Sequence, residues 1–88
     1  MNRNAADLLR QRLAALAPLR LDIVDESHLH AGHQGAGGGG HYRVAIVAAA
    51  FAGQSTMARH RLVYAAAGDL MRGPIHALSI HAQAPDEV

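Results

Sequence analysis

Seven of the 88 residues are histidine, and five of those lie between Ser27 and Arg61. Histidine is the commonest metal ligand and the side chain whose ordinary pKa lies nearest neutrality, so its placement bounds the chemistry open to the chain. Three imidazoles fall within six residues in Ser27-His28-Leu29-His30-Ala31-Gly32-His33. His-rich tracts ligate metals when the backbone lets the rings converge. The plainer alternative is a polar loop whose histidines are simply solvated. The spacing is not that of two histidines on one helical turn with an adjacent glutamate, as a zinc hydrolase requires. His76 is different, because it opens an alternating apolar stretch. It shares parity with Leu78 and Ile80, which places it at the end of the covered face of a strand. His81 then falls on the opposite face and is solvated. A histidine at a covered position costs free energy unless its nitrogen finds a partner. It is either a satisfied structural residue or a ligand.

Other chemistry is sparse. The chain has no cysteine, which removes disulfides, thiolate nucleophiles and any sulfur ligand of its own. Arg59-His60-Arg61 offers cations for phosphate contacts, or else the wet side of an amphipathic helix with His60 half-buried. The Gly37–Gly40 run lacks the Lys-Ser/Thr of a phosphate cradle and precedes a strand rather than a helix. Asp25-Glu26 does not make a paired-carboxylate site, and no Ser/His/Asp set has readable spacing. These absences argue against an enzyme. Eight basic residues, all arginine, against seven acidic ones give a net charge of +1 with histidines neutral. A dedicated nucleic-acid binder normally carries a larger excess.

The elements that must position these residues follow from periodicity. Ala5, Leu8, Leu9, Leu13 and Leu16 recur at helical spacing behind Asn4 as N-cap, and Pro18 ends this helix. Leu19, Leu21 and Ile23 alternate with Arg20, Asp22 and Val24, predicting a first strand. Tyr42, Val44 and Ile46 alternate likewise and predict a second. Between the strands Glu26 to Gly40, with six glycines and three histidines, reads as a flexible loop. Ser55 caps a second helix whose stripe runs through His60, Val63, Tyr64, Ala67 and Leu70, and Gly73-Pro74 breaks it. Ile75 to Ala82 is the third strand, and residues 83–88 read as a polar tail. The expected architecture is α-β-β-α-β, an α/β (α+β) domain spanning residues 1–88. It has a three-stranded mixed sheet with both helices on one face.

Half the residues are hydrophobic, but 19 of them are alanine, so the core is thin. The first 13 residues carry Arg3, Asp7, Arg10 and Arg12, which is unlike a signal peptide. The longest apolar run, Val44 to Ala52, is far short of the ~20 residues a membrane helix needs. Without cysteine staples a domain this small points to a reducing, cytoplasmic home.

Five stretches in order resemble the BolA family: Asp25-Glu-Ser-His-Leu-His-Ala-Gly-His33, His41-Tyr-Arg-Val-Ala-Ile-Val47, Phe51-Ala-Gly-Gln-Ser55, Arg59-His-Arg-Leu-Val-Tyr64 and Ile75-His-Ala-Leu-Ser-Ile80. The resemblance covers the chain from about Leu8 to Glu87. It implies a fold similar to the class II KH domain, and a role beside a monothiol glutaredoxin in iron–sulfur cluster trafficking and iron homeostasis. A [2Fe–2S] cluster would be shared within a heterodimer. The partner's cysteine and a glutathione would hold one iron, and this chain would supply the remaining ligands. Lacking cysteine, the chain resembles the histidine type, with His76 and His30 as the matching ligands and His28 and His33 as alternatives to His30. No cofactor is expected in the free protein, as a monomer or weak homodimer. The runner-up reading is a DNA-binding regulator contacting phosphates weakly through Arg59, Arg61 and Arg43. Its match to the KH motif Gly-x-x-Gly, Gly53-Gln-Ser-Thr56, lacks the second glycine. A third reading, zinc or copper buffering by the histidine loop alone, needs neither a partner nor His76.

Overall fold

A computed structural model describes residues 4–27 and 40–88. Helix α1 (Ala5–Leu13) is followed by strands β1 (Arg20–Asp25) and β2 (Gly40–Val47), helix α2 (Thr56–Ala67) and strand β3 (Ile75–Gln83). The sheet order is β1-β2-β3, with β1 antiparallel and β3 parallel to β2. This is the expected α-β-β-α-β mixed sheet. Among the described residues no helix is long and apolar enough to cross a membrane.

Each helix starts where its capping residue dictates. The Asn4 side chain accepts a hydrogen bond from the Asp7 N–H at 2.8 Å, and the Ser55 hydroxyl accepts one from Ala58 at 3.1 Å. The stripe on α1 buries Leu9 and Leu13 completely. The helix then tightens into a 3₁₀ turn, Ala14–Leu16, and stops at Ala17, whose φ of 51° is left-handed, with Pro18 beyond. On α2 the buried positions are Val63 and Ala67, and Leu70 follows in a 3₁₀ turn, Gly68–Arg72. Tyr64, expected on that stripe, is exposed; Leu62 and Ala66 pack on the core instead.

Both helices cover one face of the sheet. Tyr42, Val44 and Ile46 of β2 are buried beneath them, flanked by Leu21 and Ile23 of β1 and by Leu78, Ile80 and Ala82 of β3. Phe51, carried by a 3₁₀ turn between β2 and α2, is fully buried at the centre. The other face carries exposed Arg20, Asp22, Val24, Arg43, Ser79 and His81. Leu19, read as the first inward residue of a strand, lies before β1 and is 72% exposed.

Three boundaries differ from expectation, each for a reason that is not local in sequence. Gly40 is not a loop residue but the first residue of β2, where its N–H donates to the Pro74 carbonyl at 2.9 Å. The Tyr42 ring lies over it so closely that a Cβ there would meet Cε2 of the ring at 2.5 Å. At the other end, Gln83 belongs to β3 and Ala84 is buried. Pro85–Glu87 then form a 3₁₀ turn rather than a loose polar tail.

Arg59 holds that turn down. Its guanidinium donates to both carboxylate oxygens of Glu87, at 2.6 and 2.7 Å, and to the carbonyls of Ala82 at 3.0 Å and Gln54 at 2.9 Å. The Glu87 carboxylate also accepts the Ala84 N–H at 2.8 Å. One side chain thus joins the start of α2 to the end of β3 and the C-terminal turn.

The Arg59 hydrogen bonds, with help from the Ala84 N–H, pull the Glu87 carboxyl down from an ordinary 4.5 to about 2. A carboxyl depressed on folding contributes stability that is complete above its unfolded value and disappears as pH falls through its folded value. Glu87→Gln is therefore expected to lower the melting temperature at pH 7 and to flatten the acid-side decline between pH 4.5 and 2. Thermal melts at stepped pH should show the two proteins converging near pH 2; parallel curves would mean that the ion pair contributes nothing. Gly40→Ala is expected to destabilise by about 1–3 kcal/mol, the usual cost of overpacking, as read from denaturant unfolding.

Candidate functional site

The site begins with an irregularity in the sheet. Gly40 pairs with Ile75 and His41 with Ala77, so His76 is an extra residue with no partner position on β2. The inserted residue resets the alternation. Ile75 points into the core at 1% exposure, Leu78 returns to the core side three residues later, and His76 stands exposed between them. This corrects the parity reading, which placed His76 on the covered face. Parity counting assumes an unbroken period of two, and β3 breaks it at this residue. His81, past the break, lies on the open face as expected.

The reset brings the His76 ring beside that of His41. Their centroids are 5.1 Å apart and their planes tilted by 45°. His41 opens the outward-facing row of β2 that continues through Arg43. Its backbone is held on both sides: the N–H donates to the Ser27 hydroxyl at 3.1 Å, and the carbonyl accepts the Glu26 N–H at 2.8 Å. Ser27 is fixed in turn by its own N–H donating to the Asp25 carboxylate at 2.9 Å. Glu26 pairs with Arg43 at 2.9 Å. On the far side of the strand, burial pushes the Tyr42 phenol above its ordinary value. The nearby Asp25 charge adds to the shift, and a hydrogen bond with Ser27 opposes it. The sequence Asp25-Glu-Ser27 therefore works as a clamp on the end of β2.

Two imidazoles at this separation, one of them on a fixed backbone, can donate nitrogen to a transition metal. Among the described residues no third histidine, carboxylate or thiol joins them in a metal-binding group. Any metal held here would need the rest of its ligands from elsewhere.

His28, His30 and His33 lie outside the described residues. His60 is half-buried on α2, as expected. The three arginines proposed for phosphate contact are not brought together. Arg59 is consumed by Glu87 and two carbonyls, its side chain only 13% exposed, so the helix is not simply wet there. Arg43 lies on the open sheet face, whereas exposed Arg61 lies on the helix covering the other face, 3.4 Å from the Met57 sulfur.

Sequence reasoning gave no role to His41. The signal that could have found it is its place one residue before Tyr42, in phase with outward-facing Arg43. Its nearness to His76 depends on the extra residue in β3, which nothing in the local composition marks.

A family model described as BolA-like protein matches residues 13–87. The solved BolA domain of SufE1 from Arabidopsis thaliana superposes with a TM-score of 0.86 at 38% identity, covering 100% of both chains. BolA-like protein 1 of Mus musculus is 45% identical over 81% of this chain and 50% of its own length. DNA-binding transcriptional regulator BolA of Escherichia coli is 33% identical over 84% of this chain and 73% of its own. The chain thus spans half the length of the mouse relative.

Proposed function

The chain belongs to the BolA-like family, and from that membership we propose that it is a non-enzymatic, cytoplasmic adaptor. It pairs with a monothiol glutaredoxin and helps hold a [2Fe–2S] cluster as shared cargo. The observation that carries this reading is the exposure of His76 beside a second imidazole, at the sheet irregularity, in a chain without cysteine. Such a chain contributes nitrogen only, so the sulfur ligands come from the partner's cysteine and from glutathione. Exchanging two thiolates for two neutral imidazoles removes negative charge from the cluster and raises its reduction potential. Protonated imidazole cannot bind iron, so holding the cargo depends on pH. The family resemblance assigns the second imidazole to His30, with His28 and His33 beside it.

The name of the Escherichia coli relative favours a second reading, a DNA-binding regulator. Of the three arginines named for phosphate contact, Arg59 is engaged by Glu87 and Arg43 by Glu26, which leaves Arg61 as the one outside an ion pair among the described residues. On this reading binding is weak and falls away steeply with salt.

Visible absorption and circular dichroism of the chain mixed with a monothiol glutaredoxin, glutathione, iron and sulfide separate the readings. The expected outcome is a new spectrum that co-elutes with a one-to-one complex, is lost in His76→Ala and is unchanged in His81→Ala. A spectrum identical to that of glutaredoxin alone, with the proteins eluting apart, would overturn the adaptor reading. Duplex binding that falls away steeply with rising salt, with no new spectrum, would favour the regulator.

A further inference from the structure

On the cluster-sharing reading, each iron of a [2Fe–2S] unit has two positions left after the bridging sulfides. The partner's cysteine and glutathione fill one iron, so this chain must fill two positions on the other. The geometry points to His41 as the second ligand: we propose that His41 and His76 together bind that iron, and that the histidines at 28, 30 and 33 are not required.

The first support is the spacing. A nitrogen bonds a first-row metal at about 2.1 Å, and the ring centre lies about 1.1 Å further on. Two imidazoles on one tetrahedral metal therefore hold their centroids about 5 Å apart. The His41 and His76 centroids are 5.1 Å apart.

The second support is restraint. Glu26 and Ser27 hold both backbone polar groups of His41, and Asp25 holds Ser27. The neighbouring Gly40 N–H reaches across to Pro74, just before β3, which keeps the ends of the two strands together. A ligand on backbone already fixed loses little freedom on binding, so the site is prepared before the metal arrives.

The third support is exposure. His76 projects from the sheet as the inserted residue, where a cluster carried by a partner can reach it. Among the described residues His41 and His76 are the two imidazoles that meet here, and two is the number that the shared cluster needs from this chain.

The test counts nitrogens. The chain, labelled with ¹⁵N-histidine, is assembled with an unlabelled monothiol glutaredoxin, glutathione, iron and sulfide, reduced with dithionite and examined by pulsed electron paramagnetic resonance. Two strongly coupled histidine nitrogens are expected in the wild type and in the combined His28→Ala, His30→Ala, His33→Ala variant. One is expected in His41→Ala and one in His76→Ala. His41→Cys puts a sulfur donor in place of the nitrogen and is expected to retain the cluster with one coupled nitrogen and a shifted visible spectrum. Should His41→Ala fail to hold the cluster at all, recovery in His41→Cys supports ligation and failure to recover overturns it. Loss of a nitrogen in the triple variant with both retained in His41→Ala would overturn the proposal and leave cluster sharing intact. A wild-type complex with no coupled histidine nitrogen would overturn both.

Discussion

The pairing of β2 with β3 governs the rest of the molecule, and its decisive detail is one residue too many. Had β3 kept strict alternation, either Ile75 or Leu78 would have faced outward, because they are an odd number of positions apart. Both pack on the core side. The core takes both only if one residue between them is pushed out of register, and that residue is His76. The insertion lets a second large aliphatic side chain pack on the core, worth at most about 1.5–3 kcal/mol when fully buried, against roughly 0.5–1.5 kcal/mol for a disturbed ladder hydrogen bond. The exposed histidine is thus held out by the hydrophobic core.

Arginine 59 sets the second constraint. A cation on the first turns of a helix is poorly placed with respect to the helix dipole. Here Glu87, brought back by the C-terminal turn, offsets that charge and accepts both arms of the guanidinium. The Ala82 carbonyl lies at the end of β3 and the Gln54 carbonyl just before the Ser55 cap, so the same side chain fixes the crossover of α2 onto the sheet. The ion pair takes from the surface the arginine that a phosphate-binding reading most needs.

What could be read from the sequence, and what could not, divides along the range of the interaction concerned. Asn4 and Ser55 act on backbone three residues away, so their caps were legible as chemistry. The stripes of α1 and the alternation of Tyr42, Val44 and Ile46 repeat within one element and were equally legible. Gly40 was read as part of a glycine-rich loop because its constraint comes from the ring of Tyr42 folding back over it. Arg59 was read as wet because its partner is 28 residues distant. Tyr64 fits a helical stripe by count, yet the stripe turns at Leu62 and Ala66 to follow the core. His76 stands out in the sequence but its parity points to the wrong face, and no local signal singles out His41. Both errors have one cause, since the inserted residue in β3 appears only when the two strands are laid side by side.

That cause bears on how such a site can work. Two imidazoles without a third ligand cannot complete a tetrahedral metal, and the described part of the chain offers no third. An incomplete site binds its cargo weakly alone and firmly only when another protein completes it. Two further ligands on this chain, for the other iron, would close the site and make the chain a store. On the proposed cluster-sharing reading, leaving it open makes retention conditional on the partner, which is the property a carrier requires. The clamp through Asp25 and Ser27 serves the same end, because a half-site has few bonds with which to offset the cost of ordering its ligands. A chain that carries cargo only jointly therefore gains most from histidines already positioned, and the β2–β3 junction supplies two of them.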